Sequence, residues 1–136
     1  MSIDYSILET GQIISSRTYC LSADVVERYV EAVGGRPPML IGTTKVPAVP
    51  PMAVASLSLR GVVEDMGIPS GTLHSGQELE FHMVVSVGES VKCEASISQS
   101  SVRGGRQFVT VALSVCDSEG LQVMSGKSTL VTPTNF

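Results

Sequence analysis

Tryptophan is absent from this sequence, and aromatic residues of all kinds make up only 4% of it. Hydrophobic residues still account for 43% of the 136 positions, so we expect a core of aliphatic side chains. There is no apolar run long enough to span a bilayer and no N-terminal signal pattern. These observations favour a cytoplasmic protein without a membrane partner, folded as a single domain over residues 1–136.

Basic residues, cysteine and histidine are also scarce. The net charge of −4 argues against a nucleic-acid partner, because such a protein needs a basic face. The three cysteines, Cys20, Cys93 and Cys116, form no CxxC pair, and their odd number suits a reducing compartment. We expect buried strand residues and not nucleophiles, since no histidine is placed to activate them. Neither a metal nor a cofactor is predicted.

The first third of the chain predicts one strand, one helix and one long loop. Gly11–Tyr19 is the strand, and Ser22 is a good N-cap for a helix that Gly34-Gly35 ends. The stretch Arg36–Val49 contains three prolines and predicts a loop. Loops of this length in compact domains are usually functional or mobile.

A second and longer helix is predicted from about Pro51 to Met66. Proline is well tolerated at the first helical position, and Gly67 with the following Ile68-Pro69 is a strong stop signal. Helical spacing predicts one apolar stripe along it, which consists of Met52, Ala55, Leu59, Val62, Val63 and Met66.

The rest of the sequence predicts β structure. Alternating segments are separated by turns at Val87-Gly88-Glu89, Arg103-Gly104-Gly105-Arg106 and Asp117-Ser118-Glu119-Gly120. The predicted strands are Leu73–Val85, a segment with Val91, Cys93, Ala95 and Ile97 on one face, Phe108–Cys116 and Leu121–Thr132. Successive hairpins predict an α+β fold, in which an antiparallel sheet of about five strands wraps around one long central helix.

Three blocks at these spacings resemble the MaoC-like hydratases and dehydratases of acyl thioesters. The blocks are Val49-Pro50-Pro51-Met52, Leu73-His74-Ser75-Gly76-Gln77-Glu78-Leu79-Glu80-Phe81-His82 and Val87-Gly88-Glu89. The second block resembles the family's H-x-x-Q-x-x-x-x-H strand, and the third its V-G-D/E turn. The resemblance covers nearly the whole chain and is closest to the non-catalytic, N-terminal type of hotdog domain. It implies the hotdog fold and a thioester of coenzyme A or acyl carrier protein as the ligand.

The sequence departs from the catalytic pattern of that family at two places. Catalytic members carry D-x-N-P-x-H after the first helix, where the Asp and His activate water and protonate the α-carbon. The matching stretch, Gly34-Gly35-Arg36-Pro37-Pro38-Met39-Leu40, keeps only Pro38 and has neither residue. Members also begin the long helix with H-G-M, whose Gly N–H holds the thioester carbonyl. Here Pro51 stands at that position and has no N–H. No catalytic residue is therefore predicted.

The resemblance and its two departures lead to one principal hypothesis. The chain would be a degenerate acyl-thioester-binding subunit that pairs with a catalytic hotdog subunit or with itself. A lone domain of this kind leaves a sheet edge unpaired, so a monomer is not expected. Its acyl-binding residues would be Pro50, Pro51, Met52, Ala55 and His74, with the Arg36–Val49 loop beside them.

Two other functions stay open from the sequence. The chain could be an active hydratase with relocated residues, or a thioesterase that uses Glu64 or Asp65, although solvated charges are the simpler reading of that pair. It could also be a non-catalytic acyl-binding homodimer.

Several further residues carry weaker hypotheses. His74 and His82 would lie on one face of a regular strand about 26 Å apart, too far to share a site. Arg103, Arg106 and Lys45 could meet phosphates or form a charged hairpin tip. Four methionines suit either an acyl pocket or ordinary core filling, namely Met39, Met52, Met66 and Met83.

Overall fold

One antiparallel sheet of five strands holds a long helix on one of its faces. The computed structural model describes residues 8–34, 40–41 and 46–133. The strand order is β1-β5-β6-β7-β4, and a separate two-stranded sheet pairs β2 with β3. The elements are β1 (Ile13–Cys20), α1 (Ala23–Ala32), β2 (Leu40–Ile41), β3 (Val46–Pro47), α2 (Pro51–Met66), β4 (Leu73–Phe81), β5 (Ser90–Arg103), β6 (Arg106–Asp117) and β7 (Gln122–Pro133).

The core lies between α2 and the helix-facing side of the sheet. Strict alternation along β5 and β6 places aliphatic residues on that side, and all of them are buried: Val91, Cys93, Ala95, Ile97, Val109, Val111, Leu113 and Val115. The sheet adds Met124 and Leu130 from β7, and α2 adds Val62 and Met66. This arrangement confirms the α+β class and the hotdog architecture.

The bounds of both helices follow from their end residues. Ser22 caps α1, because its hydroxyl accepts a hydrogen bond from the Val25 N–H at 3.3 Å. Helix α2 begins at Pro51 and ends before Gly67, which adopts a left-handed conformation with φ of 58°. The predicted limits of α2 are confirmed. Its predicted apolar stripe is only partly buried, since Met52 and Val63 remain 47% and 56% exposed.

The predicted succession of hairpins is wrong for β4. The turn at Gly88 is present, with φ of 100°, but β4 does not pair with β5. β4 instead lies antiparallel to β7 at the far edge of the sheet. The chain leaves the sheet after Phe81, because Val85 and Val87 form backbone hydrogen bonds with the segment before α2. The alternation along the sequence cannot show that β4 pairs with β7 and not with β5.

The predicted loop at Arg36–Val49 is also wrong in part. Two short strands, β2 and β3, pair within it at Leu40↔Pro47 and Ile41↔Val46. Strands of two residues are too short to produce a recognisable alternation. Residues 35–39 and 42–45, and with them the hypotheses on Met39 and Lys45, lie outside the described residues.

A β-bulge in β4 overturns the shared face predicted for the two histidines. His74 pairs with Leu130 and Gly76 pairs with Thr129, so Ser75 is an additional residue in β4. Beyond the bulge, Gln77, Leu79 and Phe81 take the helix-facing side together with His74, and Glu78 and Glu80 take the outer face. His82 follows on the outer side, where its Nε2 lies 2.8 Å from Ser125 Oγ.

Close approach at Gly126 makes that position intolerant of a side chain. A Cβ there would overlap the backbone carbonyl oxygen of Glu78 in β4. We expect Gly126→Ala to lower the free energy of unfolding by about 1–3 kcal/mol in urea denaturation, because the backbones of β4 and β7 must separate. Gly76→Ala is the matched control, since a Cβ at Gly76 meets nothing within 4 Å. Equal stability of the two variants would contradict the close packing of β4 on β7.

Candidate functional site

The start of α2 has few hydrogen-bond donors. Its N-cap residue is Pro50, which makes no side-chain cap hydrogen bond, and Pro51 is the first helical residue and lacks an N–H. The Ala53 N–H donates to the Pro50 carbonyl oxygen at 2.9 Å. A helix start usually offers several free N–H groups to an anion or a carbonyl oxygen. Here two of the donors of the first turn are missing or already used.

The backbone that leads into α2 is held firmly in place. The Val49 N–H donates to the Val85 carbonyl oxygen at 2.8 Å, and the Val87 N–H donates to the Pro47 carbonyl oxygen at 2.9 Å. The Gly88 N–H in turn donates to the Leu21 carbonyl oxygen at 2.7 Å, beside the start of α1. Three distant parts of the chain therefore meet at one point and fix the position of Pro51.

The predicted acyl-binding residues do not form one cluster within a single protomer. Pro51 and Met52 are exposed at the first turn of α2, Pro50 is half-buried, and Ala55 is buried in the core at 1% exposure. His74 lies beside the second half of α2, which is about 12–18 Å further along the helix axis. Their role in ligand binding stays a prediction.

An apolar groove separates the second half of α2 from β4. It encloses about 260 Å³ and is lined by Leu59, Val62, Val63, Ile68, Pro69, Gly71, Thr72, His74 and Leu130. The bulge at Ser75 turns His74 towards this groove and away from the outer face. The groove offers a hydrophobic surface with one imidazole at its border, which suits an apolar chain better than a charged group.

A second cleft lies between α1 and α2, and the sequence did not suggest it. It encloses about 200 Å³ over an apolar floor that includes Leu21, Val26 and Ala53. Arg28 and Arg60 are its two basic lining residues. Helical spacing of Ala53, Leu57 and Arg60 along one face of α2 was the available signal, but it does not reveal which element covers that face.

Glu64 and Asp65 keep solvent-accessible side chains, as expected for charges on the polar face of the helix, and they also bridge α2 to β1. Asp65 Oδ1 lies 2.6 Å from Arg17 Nη2, and its Oδ2 accepts hydrogen bonds from Arg17 Nε at 3.2 Å and Ser15 Oγ at 2.8 Å. Glu64 forms ion pairs with Arg17 and with Arg60. Hydrogen bonds from Arg17 and Ser15 lower the pKa of Asp65, and those from Arg60 and Arg17 lower the pKa of Glu64.

This network weighs against the thioesterase hypothesis. A carboxylate with a lowered pKa is a weaker general base, and both carboxylates are occupied by arginine. Gly61, one turn before Asp65, lets α2 approach β1 closely enough for these contacts, since a Cβ there would overlap Ser15 Oγ. The pair therefore holds the end of α2 against β1.

The remaining candidate residues are placed as follows. The Arg103 guanidinium lies 4.5 Å from the centre of the Phe108 ring and opposes Arg106 at the tip of the β5–β6 hairpin. Cys93 is buried, and burial raises the pKa of its thiol to about 12. Cys20 is exposed, so its predicted burial is wrong, because it ends β1 on the outer face. Met66 fills the core, whereas Met52 and Met83 are exposed.

Two groups of features are not found among the described residues. Residues 8–34, 40–41 and 46–133 contain no group of three or more His, Cys, Asp or Glu side chains arranged to hold a metal ion. Over the same ranges, no helix has the length and apolar character needed to cross a membrane.

The sheet, the central helix and the groove beside it define a hotdog protein with an apolar surface at its open edge. Residues 9–126 match the family model for the FAS1-like dehydratase domain region. This match spans most of the sequence, so the chain belongs to that family. It is also 28% identical to a UPF0336 protein of Saccharopolyspora erythraea, over 83% of this chain and 81% of that protein.

Two solved structures illustrate the shared fold. The R-hydratase PhaJ1 of Pseudomonas aeruginosa superposes with a TM-score of 0.80 at 23% identity, over 97% of this chain and 86% of that chain. The HadBC complex of Mycobacterium tuberculosis, a 3R-hydroxyacyl-ACP dehydratase, matches with a TM-score of 0.73 at 17% identity, over 96% of this chain and 99% of that chain. At these identities the likeness establishes the hotdog fold.

The ion-pair network predicts a defined response to acid. Because folding lowers the pKa of both carboxyl groups, their contribution to stability is complete above the ordinary carboxyl range near pH 4 and is lost as the pH falls through the lowered values. We expect Arg17→Leu to raise the pKa of Asp65 towards its ordinary value in a carboxyl NMR titration, and to flatten the loss of stability on acidification. Arg106→Leu, at the hairpin tip, should change neither quantity. An unchanged Asp65 titration in the Arg17 variant would contradict the network.

Proposed function

We propose that this chain is an acyl-thioester-binding hotdog subunit that does not catalyse hydration or dehydration by itself and pairs with a catalytic hotdog subunit. The observation that carries the proposal is Pro51 at the first position of α2. In the resembled hydratases this position donates the backbone N–H that holds the thioester carbonyl.

The chemistry of the reaction explains why this position matters. Addition of water to an enoyl thioester places negative charge on the thioester oxygen, which a fixed N–H donor stabilises. Loss of one such donor typically lowers the rate by roughly two to three orders of magnitude. The sequence also has no Asp and no His between Gly34 and Leu40, so the general acid and base are missing as well. Such a pair typically raises the rate by roughly a further 10²–10⁴-fold. Two losses at one site support a binding role over a catalytic one.

The open edge of the sheet supports pairing with another hotdog chain. β4 ends the strand order, and eight of its nine residues are exposed. Leu73 and Phe81 are 60% and 40% exposed at the two ends of β4, and Val63 of α2 is exposed in the groove that His74 also lines. Unpaired backbone groups next to apolar side chains favour the addition of a further strand. HadBC, which shares the fold, is itself a complex of two chains.

The same surface supports the binding of an acyl chain. Met52 is half exposed at the first turn of α2, and the 260 Å³ groove is a second apolar surface beside the other half of the helix. Methionine adapts its shape at low cost, so it can border chains of different bulk. A partner that covers β4 would close the groove from the side and leave room for an acyl chain along α2.

The first test measures catalysis by the isolated chain. We expect purified protein to hydrate crotonyl-CoA no faster than the buffer control, because both the donor and the acid–base pair are missing. We also expect a hotdog subunit carrying D-x-N-P-x-H to co-purify from the native host. Hydration at a rate typical of a hydratase by the isolated chain would overturn the proposal.

The second test measures the shape of the acyl-binding surface. In the reconstituted pair, we expect Met52→Trp to lower kcat/KM for a bulky acyl thioester by about tenfold and to leave crotonyl-CoA nearly unaffected, because the indole fills the space along α2. Leu121→Trp is the matched control, since Leu121 is exposed in the β6–β7 turn. Equal effects on both substrates would argue against Met52 as a lining residue.

A further inference from the structure

The two edge strands of the sheet, β1 and β4, differ in how many of their side chains contact α2. β1 is tied to α2 through Arg17 and Ser15, which meet Glu64 and Asp65. Among the described residues, no ion pair links β4 to α2, and eight of the nine β4 residues are exposed, against four of the eight in β1. Both strands have an unpaired backbone edge, but an added strand finds more accessible side chains at β4 than at β1.

The outer face of β4 carries two carboxylates at alternate positions. Glu78 pairs with Lys127 of β7, and Glu80 pairs with Ser125. Lys127 is the basic residue that faces Glu78, although the two form no ion pair within 4.0 Å in the described structure. His82 lies near Glu80 on the same face and contacts Ser125. The edge as a whole presents more negative than positive charge to an incoming strand.

Pairing of β4 with β4 of a second identical copy brings these carboxylates together. A twofold axis makes such pairing antiparallel, and residues directly opposite each other then share a face. If the axis passes at Leu79, each Glu78 opposes a Glu80 of the copy, and if it passes at Glu78, that residue opposes itself. If the axis passes at Gln77, the two copies of Glu78 become diagonal neighbours, about 7–8 Å apart. All three registers near the middle of β4 thus place like charges within one screening length.

We propose that these two carboxylates select the partner: β4 pairs with the edge strand of a different hotdog chain that carries lysine or arginine opposite Glu78 and Glu80, and it disfavours a second copy of itself. This proposal rests on the proposed function, because it concerns the pairing surface of that subunit. Backbone hydrogen bonds and the apolar residues Leu73 and Phe81 supply affinity in either case, and the charges supply the choice of partner.

A charge-reversed copy of this chain provides a defined stand-in for such a partner. We would mix wild-type protein with Glu78→Lys/Glu80→Lys protein and measure dimer composition by native mass spectrometry at low salt. We expect the ratio of mixed to self-paired dimers in an equimolar mixture to exceed the value given by random pairing by about fivefold, and to fall back towards that value at high salt. Mixed and self-paired dimers in the proportions of random pairing at low salt would overturn the proposal. The absence of any association in the mixture would overturn it as well.

Two further variants separate charge selection from other causes. Glu78→Gln/Glu80→Gln removes the repulsion without adding a charge, so it should self-associate several-fold more tightly than wild type in sedimentation. Glu27→Lys/Glu31→Lys makes the same change of net charge on exposed positions of α1 and should give random shares when mixed with wild type. An equal preference from the α1 variant would attribute the effect to net charge and overturn the role of β4.

The same measurements distinguish failure of this inference from failure of the proposed function. Random mixing together with co-purification of a catalytic hotdog subunit would refute only the selection by Glu78 and Glu80. Charge-selected mixing together with hydration by the isolated chain would refute only the non-catalytic role.

Discussion

The packing of α2 against the helix-facing side of the sheet is the contact on which the other features depend. Small residues along the helix permit that close approach, and those that are buried are Ala53, Ala55, Ser58 and Gly61. At Gly61 the helix backbone comes close enough to β1 for Asp65 to accept a hydrogen bond from Ser15 and to pair with Arg17. At the other end, the backbone hydrogen bonds of Val49 and Val87 fix the first turn. The position of Pro51 is therefore a consequence of how the helix packs.

A fixed helix start with few donors would let a hotdog domain keep its shape and lose its chemistry, as the proposed function requires. Replacing an N–H by a proline ring at the first helical position costs the helix nothing, because that N–H has no intrahelical acceptor. The same replacement removes a donor from any ligand held there. The fold thus places no penalty on such a replacement. The exposed edge at β4 and the groove beside α2 are the surfaces to which the proposed function assigns a partner and an acyl chain.

Local signals account for much of what could be predicted from the sequence. Pro51 and Gly67 delimit α2 correctly, because a proline at the start and a left-handed glycine at the end act on the residues next to them. The alternation in β5 likewise depends on neighbouring positions, and the face predicted to hold Val91, Cys93, Ala95 and Ile97 is buried. The family resemblance, carried by residues around Pro51 and along β4, agrees with the match to the dehydratase region.

What the sequence did not reveal depends on contacts between distant residues. The extra residue at Ser75 moves His74 to the helix-facing side, and only the register with β7 shows it. The pairing of β4 with β7 follows from the hydrogen bonds of the segment after Phe81 to the approach of α2. Arg17 and Asp65 are 48 positions apart, so no periodicity links them. The role proposed for Glu78 and Glu80 depends on β4 being an edge strand, and the sequence alone does not show this.

The most direct measurement of the central claim is the hydration rate of a reconstituted pair in which the partner's catalytic aspartate has been replaced by asparagine. A non-catalytic role of this chain, as proposed, predicts that this single change abolishes measurable hydration of an enoyl thioester by the pair, because the partner would then supply both the acid and the base. The same role predicts that the thioester still binds. Residual hydration at about half the rate of the intact pair would show that this chain contains an active site of its own and would contradict the account.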